Sequence, residues 1–268
     1  MHPSSANKPQ YTIQQFLSHQ IAPTLGCTEP VAVALGAAAA ASLLPADETV
    51  REIRVSVDPN VFKNGLGVLI PGTGGQRGLD LASALGALGG DPTKGLQLLQ
   101  GIHPGVLQAA RDLVGQGAVS VQLRDDAEAL FIHTELRSPN RSCASLIRDR
   151  HDNVVSLTDQ GREVTSPLLQ TEERESEEGG AGGMDRWLRG LSLERILDML
   201  GELERADLDF LRRGVEMNMA LVDHGLEHAP GHGVGAGLAA LREEDGGQWD
   251  MERTAQIWTA AAADARMA

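Results

Sequence analysis

The run from Val31 to Leu44 is 14 residues long, uncharged and dominated by alanine, and Pro45 ends it. A helix that is apolar on every side has to be buried, so this rod demands a fold that wraps around it. It is too short to cross a bilayer, which takes roughly 20 residues. The run is entered through Leu25-Gly26-Cys27-Thr28-Glu29-Pro30. Pro30 suits a first helical turn, where its missing N–H costs nothing, and Thr28 can cap the free N–H groups. Cys27 then stands at the positive end of the helix dipole, which favours thiolate, the form that attacks electrophiles or binds metal. Glu29 opposes this by charge repulsion unless it is itself protonated or paired. A small cysteine buried in a helix cap is the other reading of the same residues.

With 268 residues the chain can bury a sizeable core in one domain or two. Aromatics make up 3% and there are 31 glycines, so small residues and close backbone contacts must do most of the packing. The net charge is −14, and no basic cluster is longer than Arg212-Arg213. That argues against nucleic acid and against an anionic membrane as partners. Cys27 and Cys143 are too far apart in sequence and too different in surroundings to suggest a disulfide framework, which points to a reducing compartment. The polar start, Met1 to Thr12, lacks the apolar core of a signal peptide. A soluble, cytoplasmic protein is expected.

Residues 1–11 read as disordered, 12–170 as an α+β domain, 171–183 as an acidic, glycine-rich linker and 184–268 as a helical part. The fold class is thus α+β, with a mostly antiparallel sheet in the N-terminal part and an all-helical C-terminal part. Ile13, Phe16, Leu17 and Ile21 share one helical face, and Ile53, Val55 and Val57 alternate as a strand. Asp58-Pro59-Asn60 reads as a turn and Leu66–Ile70 as a second strand. Leu79–Leu88 is a helix stopped by Gly89-Gly90, and Thr93–Val114 holds one or two more, broken at His103-Pro104-Gly105. Strands follow at Val119–Leu123, Ala129–Glu135, Ser142–Arg148 and Asn153–Leu157, with an edge segment ending near Val164. Helices are expected over Met184–Leu200, Ala206–His224, Gly233–Glu243 and Trp249–Met267.

Lys63-Asn64-Gly65-Leu66-Gly67, followed by Pro71-Gly72-Thr73-Gly74, suggests a loop approached by a small anion. Glycines let backbone N–H groups come close, and Lys63 can hold a carboxylate; a pair of tight turns is the alternative. No phosphate-loop motif is present, and Arg77 stands where a dinucleotide fingerprint needs glycine. His224-Gly225-Leu226-Glu227-His228 spells H-x-x-E-H, a zinc-protease pattern, but Gly225 weakens the helix, Pro230 ends it, and no acidic third ligand is in place. With His232 it offers adventitious zinc or nickel binding; a solvated helix end is the default. His133 and Cys143 fall in strands and read as packing residues, and His151-Asp152-Asn153 as a turn. Without G-x-S-x-G a serine hydrolase has no support.

Taken together, Leu25–Pro30 (LGCTEP), Lys63–Val68 (KNGLGV), Pro71–Gly74 (PGTG) and Leu85–Asp91 (LGALGGD) resemble the cysteine desulfidase family, which is related to the α-chain of iron–sulfur L-serine dehydratases. The likeness continues more weakly through His151-Asp152-Asn153, Met217–Leu221 and Thr259–Met267 (TAAAADARM), and so covers the chain from about Thr12. It implies a lyase of amino-acid degradation that splits L-cysteine into sulfide, ammonia and pyruvate without pyridoxal phosphate. A [4Fe–4S] cluster is implied as the Lewis acid. By the same resemblance Cys27 is catalytic or a cluster ligand, with Glu29 beside it. Thr28, Lys63, Asn64, Gly65, Thr73, His151 and Asn153 are implied to bind substrate. L-serine is the alternative substrate, and a non-catalytic amino-acid-binding subunit or inactive fragment the alternative role.

The resemblance also implies further cysteines beyond the D-A-R-M segment, which this chain does not carry. A separate chain holding that C-terminal half is therefore an expected partner, or else the chain is a truncated product; a homo-oligomer is possible in either case. The isolated chain is expected neither to keep a cluster nor to turn over cysteine.

Overall fold

The apolar run folds as helix α2 (Thr28–Ala41), and every residue from Pro30 to Ala40 is buried. The computed structural model describes residues 11–21, 23, 26–127, 129–169, 181–244, 246 and 250–266. The disorder expected through residue 10 and the acidic part of the linker, 171–180, lie outside the described residues. Two compact units divide the chain: residues 11–23 with 181–217, and residues 26–169 with 218–266. The helical part expected from 184 onward is thus shared between them.

In the larger unit α2 lies on a six-stranded sheet of order β2-β1-β3-β4-β5-β6, made of β1 (Glu52–Val57), β2 (Val119–Leu123), β3 (Phe131–Arg137), β4 (Ser142–Arg148), β5 (Val154–Asp159) and β6 (Arg162–Glu163). Only β1 and β2 run parallel; all other neighbours are antiparallel. The chain is α+β, as its patterning predicts. Alternation puts Ile53, Val55, Val57, Ile132, Leu136 and Ile147 on the face that meets α2, where all are buried. Thr134 and Ser145 face each other across β3 and β4 on the same side. The Ser145 hydroxyl donates to the Gly36 carbonyl at 2.7 Å, a polar tie between sheet and rod.

Helix α3 (Pro59–Gly67) corrects two expectations, since Asp58-Pro59-Asn60 is a helix start rather than a simple turn and Leu66–Ile70 is not a strand. Beyond Gly67 the chain makes only an isolated bridge, Leu69 to Arg77. Asp58 explains the helix: its Oδ1 accepts from the N–H groups of Asn60 at 2.8 Å and Val61 at 3.2 Å. Its Oδ2 accepts from Phe131 N–H at 2.9 Å and so ties α3 to β3. Pro59 follows at the first helical position. Because Asp58 is buried and serves three donors, Asp58→Ala is expected to lower stability by about 2–3 kcal/mol, measured by urea denaturation.

Helix α4 (Leu79–Gly89) crosses α2 closely, and α5 (Pro104–Gly115) packs on α4 after a 3₁₀ segment at Pro92–Gln97. At the end of the chain α8 (Arg205–His228), α9 (Val234–Glu244) and α10 (Met251–Arg266) meet around Ala261. A Cβ on Gly225 would stand 2.1 Å from the Ala261 carbonyl oxygen, and one on Gly235 2.4 Å from its nitrogen. Asp264 is 1% exposed and accepts from Gly235 N–H at 2.9 Å, capping α9 from a neighbouring helix. Within the D-A-R-M segment this aspartate is therefore scaffold.

In the smaller unit α1 (Ile13–Gln20) opens with a reciprocal capping box between Thr12 and Gln15. Tyr11, expected within the disordered N-terminus, is buried with its ring centroid 5.3 Å from that of Trp187. The single helix expected over Met184–Leu200 is two, α6 (Ala181–Arg189) and α7 (Leu193–Met199). Ser192 caps the second by accepting from Arg195 N–H. Helix α6 also takes in residues 181–183, which were expected to be linker. Among the described residues no helix is long and apolar enough to cross a membrane.

Candidate functional site

The first turn of α2 and the last turns of α3 meet at Glu29. Its Oε2 accepts from the Cys27 thiol at 2.7 Å and from the Thr28 hydroxyl at 3.3 Å, and its Oε1 accepts from Asn64 Nδ2 at 2.9 Å. The Asn64 contact closes a gap of 35 residues and brings LGCTEP and KNGLGV into one cluster. All four side chains are half-buried. His151, in the turn between β4 and β5, acts on Glu29 through space, in the direction that favours its charge.

Burial works against the Glu29 charge, but the hydrogen bonds from Cys27 and Asn64 outweigh it and hold the carboxyl below its ordinary range. Cys27 goes the other way. Burial first, then its hydrogen bond to Glu29, push the thiol up to about 11. The thiolate that the helix dipole favours is therefore not the resting form. Burial, together with the carboxylate at hydrogen-bonding distance, outweighs the half-charge of a helix end. Cys27 also replaces Thr28 as the N-cap residue and makes no side-chain cap bond, since both side chains turn to Glu29 instead.

The other expected site residues fare differently. Lys63 is exposed on α3. Gly65 is a packing glycine: a Cβ there would come within 2.2 Å of the Leu79 side chain. Thr73 is 4% exposed, donates to the Ile70 carbonyl at 2.6 Å and accepts from Gln76 N–H at 3.1 Å, so its hydroxyl closes its own loop. Around it Gly72, Gly74, Gly75 and Gly78 all have positive φ, and side chains added at Gly74 or Gly75 would meet nothing within 4 Å. That backbone is open to a ligand. Asn153 is buried and closes the β4–β5 turn through Nδ2 to the Arg148 carbonyl at 3.1 Å.

Asp58 is the supporting residue that the sequence reading missed. An aspartate before proline at the end of a strand is a helix-start signal as well as a turn signal, and here it starts α3. Gly26, with φ 61°, brings the chain against Pro71 and within reach of the Arg266 carbonyl, for which a Cβ would be 3.5 Å away. The last described turn of α10 thus lies beside the residue before Cys27.

A [4Fe–4S] cluster takes about four thiolates, or three with one iron left open. Cys27 is a single thiol here, and Cys143 lies at the opposite end of β4 from the β4–β5 turn, donating to Asp159 at 3.6 Å. Burial, then the Asp159 charge, push the Cys143 thiol up to about 11 as well. Among the described residues no three His, Cys, Asp or Glu side chains gather as a metal site. These residues by themselves do not fit a cluster.

The geometry thus defines an α+β protein with a carboxylate-centred polar site at the start of its buried helix. The chain is similar to a UPF0597 protein of Desulfatibacillum aliphaticivorans, 43% identical over 258 residues, which are 96% of this chain and 59% of that protein. A UPF0597 protein of Desulforapulum autotrophicum is 44% identical over 257 residues, 96% of this chain and 58% of that one. One of Clostridioides difficile is 35% identical over 255 residues, with 95% and 58% covered. The chain therefore spans less than two thirds of the length of these curated relatives. No family model matches it, and neither does any solved structure.

Proposed function

We propose that this chain is the amino-acid-handling part of a cytoplasmic carbon–sulfur lyase of the L-cysteine desulfidase type. The observation that carries the reading is the Asn64–Glu29 hydrogen bond, which joins the two most specific motifs of the resemblance around one charged carboxylate and one protonated thiol. Because the residues present do not make a cluster site, the roles below are those of this chain's own groups.

Glu29 and Cys27 are the proton-handling pair. Glu29 accepts the α-proton of the bound amino acid as the Cβ–S bond breaks, with its electron pair leaving on sulfur. Cys27 gives its proton to the departing sulfide, and the proton on Glu29 then returns to Cys27. The aminoacrylate left behind takes up water and releases ammonia to give pyruvate. Asn64 and Thr28 orient the carboxylate, and the open backbone of the Gly72–Gly75 loop, with Lys63, receives the substrate's carboxyl group. L-Serine differs only in its leaving group and is the competing substrate.

Binding can be tested on the chain as it stands. L-Cysteine is expected to raise its melting temperature and to slow alkylation of Cys27, and Asn64→Ala is expected to weaken both effects by about tenfold in ligand concentration, the scale of one lost hydrogen bond to a charged group. Parallel titration with L-serine ranks the two substrates. If neither amino acid stabilises the protein or protects Cys27, the reading fails.

A further inference from the structure

The smaller unit holds a cavity that the site above does not use. Between α1 and the first turns of α8 lies a cleft of about 300 Å³, the lower end of the range for small-molecule pockets, which form readily between packed helices. Leu17 and Phe210 give it an apolar wall, and Ser18, Asp207, Asp209 and Arg213 converge on it. All of these residues belong to that one unit. Asp207 is 6% exposed. Its Oδ2 accepts from Glu204 N–H at 2.9 Å, and among the described residues nothing donates to its Oδ1. A carboxylate oxygen so far from bulk water needs a donor. Asp209 and Arg213 stand four residues apart on α8, the spacing of an intrahelical ion pair, yet they make none. Arg213 lies over the Phe210 ring instead, 5.9 Å from its centroid, and has no carboxylate partner among the described residues. Asp209 has only long contacts, 3.8 Å to Arg205 and 3.5 Å to Arg212. The cleft therefore presents unmatched charges of both signs beside an apolar wall. A plain anion is repelled by the two aspartates and a plain cation by Arg213, whereas a molecule carrying both charges suits all three.

We propose that this cleft binds a free α-amino acid with an apolar side chain. Arg213 takes its carboxylate, Asp207 Oδ1 and Asp209 take its ammonium, and the side chain lies against Leu17 and Phe210. It is a binding site without chemistry of its own, built from residues other than Glu29, Cys27 and Asn64. No part of the lyase reading enters the argument for it.

The test is calorimetric titration of the whole chain with L-leucine, beside isoamylamine, which lacks its carboxylate, and isocaproate, which lacks its ammonium. One L-leucine per chain is expected to bind with a Kd below about 1 mM, and the two half-charged analogues to bind at least about tenfold more weakly. Arg213→Gln and Asp209→Asn are each expected to weaken L-leucine by about tenfold, the scale of one lost hydrogen bond to a charged group. Neither side chain is buried, so the melting temperature of both variants should stay that of the parent. L-Leucine is not expected to slow alkylation of Cys27, which keeps this site apart from the one at Glu29. The proposal is overturned if no binding is seen at about 10 mM L-leucine, if either analogue binds as tightly as L-leucine, or if both variants bind L-leucine as the parent does. Protection of Cys27 by L-leucine that persists in Arg213→Gln overturns it too, since the ligand then sits at Glu29.

Discussion

Replacing Gly86 by alanine is expected to destabilise the protein by about 3 kcal/mol, the upper range for overpacking a tight core. In a chain of this size that is a fall of roughly 6–12 °C in melting temperature. Gly86 faces α2 from α4, and a Cβ there would stand 2.0 Å from the Ala34 carbonyl oxygen and 2.6 Å from its carbon. Both are backbone atoms in the middle of a buried helix, so no side chain can swing aside and the two helices must move apart. Alanine's better helix propensity, worth about 1 kcal/mol over glycine, offsets only part of this. Gly115→Ala is the control. It sits in the last turn of α5 with nothing within 4 Å of an added Cβ and is expected to be neutral or slightly stabilising. Equal melting temperatures for the parent and Gly86→Ala would mean that the helices do not cross at this spacing. Since α2 carries Glu29 and α3 carries Asn64, a shifted α2 is also expected to weaken amino-acid binding.

Glu29→Gln is expected to speed alkylation of Cys27 by about tenfold at pH 8, through a rise in the thiolate fraction. In the parent the thiol is raised to about 11, so the rate with iodoacetamide should climb tenfold per pH unit toward that value. The substitution removes the charge and weakens the acceptor that hold the proton on sulfur. Burial, the larger cause, stays, so the thiol should remain above its ordinary value of 9.0. Asn64→Ala separates this from mere loosening of the site. It strips a donor from Glu29 and leaves the carboxylate a stronger acceptor for the thiol, so no acceleration is expected. Mass spectrometry of the two cysteine-containing peptides reads Cys27 apart from Cys143. An unchanged rate in Glu29→Gln would show that the carboxylate does not hold the thiol's proton.

The buried rod, the strand at Glu52–Val57 and the antiparallel run from Phe131 to Asp159 were legible because each has a period that its neighbours reinforce. Helix α3 was not, because Val61, Gly65 and Leu66 are too few and too close to glycine to declare a helical period. Its start signal, Asp58-Pro59, serves turns equally well. The break at Gly190 was lost for a similar reason, since Ser192 becomes a cap only once its hydroxyl meets Arg195 N–H. At the site, Cys27, Glu29 and Asn64 stood out as motif residues. That Gly65 packs against Leu79, and that Thr73 spends its hydroxyl on its own loop, could not be read from motifs alone.

Local composition alone determined that Val31–Leu44 had to be buried, that the first part of the chain would contain a mostly antiparallel sheet, and that the rest would be helical. These follow from hydrophobic patterning, which acts over a few neighbouring residues. Tertiary structure alone decided the protonation of Cys27, because packing half-buries the thiol against the Glu29 carboxylate, and it alone brings Asn64 from 35 residues away to complete the hydrogen bonding of Glu29. A helix dipole can be foreseen from sequence, but burial depends on which distant segments pack around the thiol, and here burial with the neighbouring carboxylate outweighs the dipole.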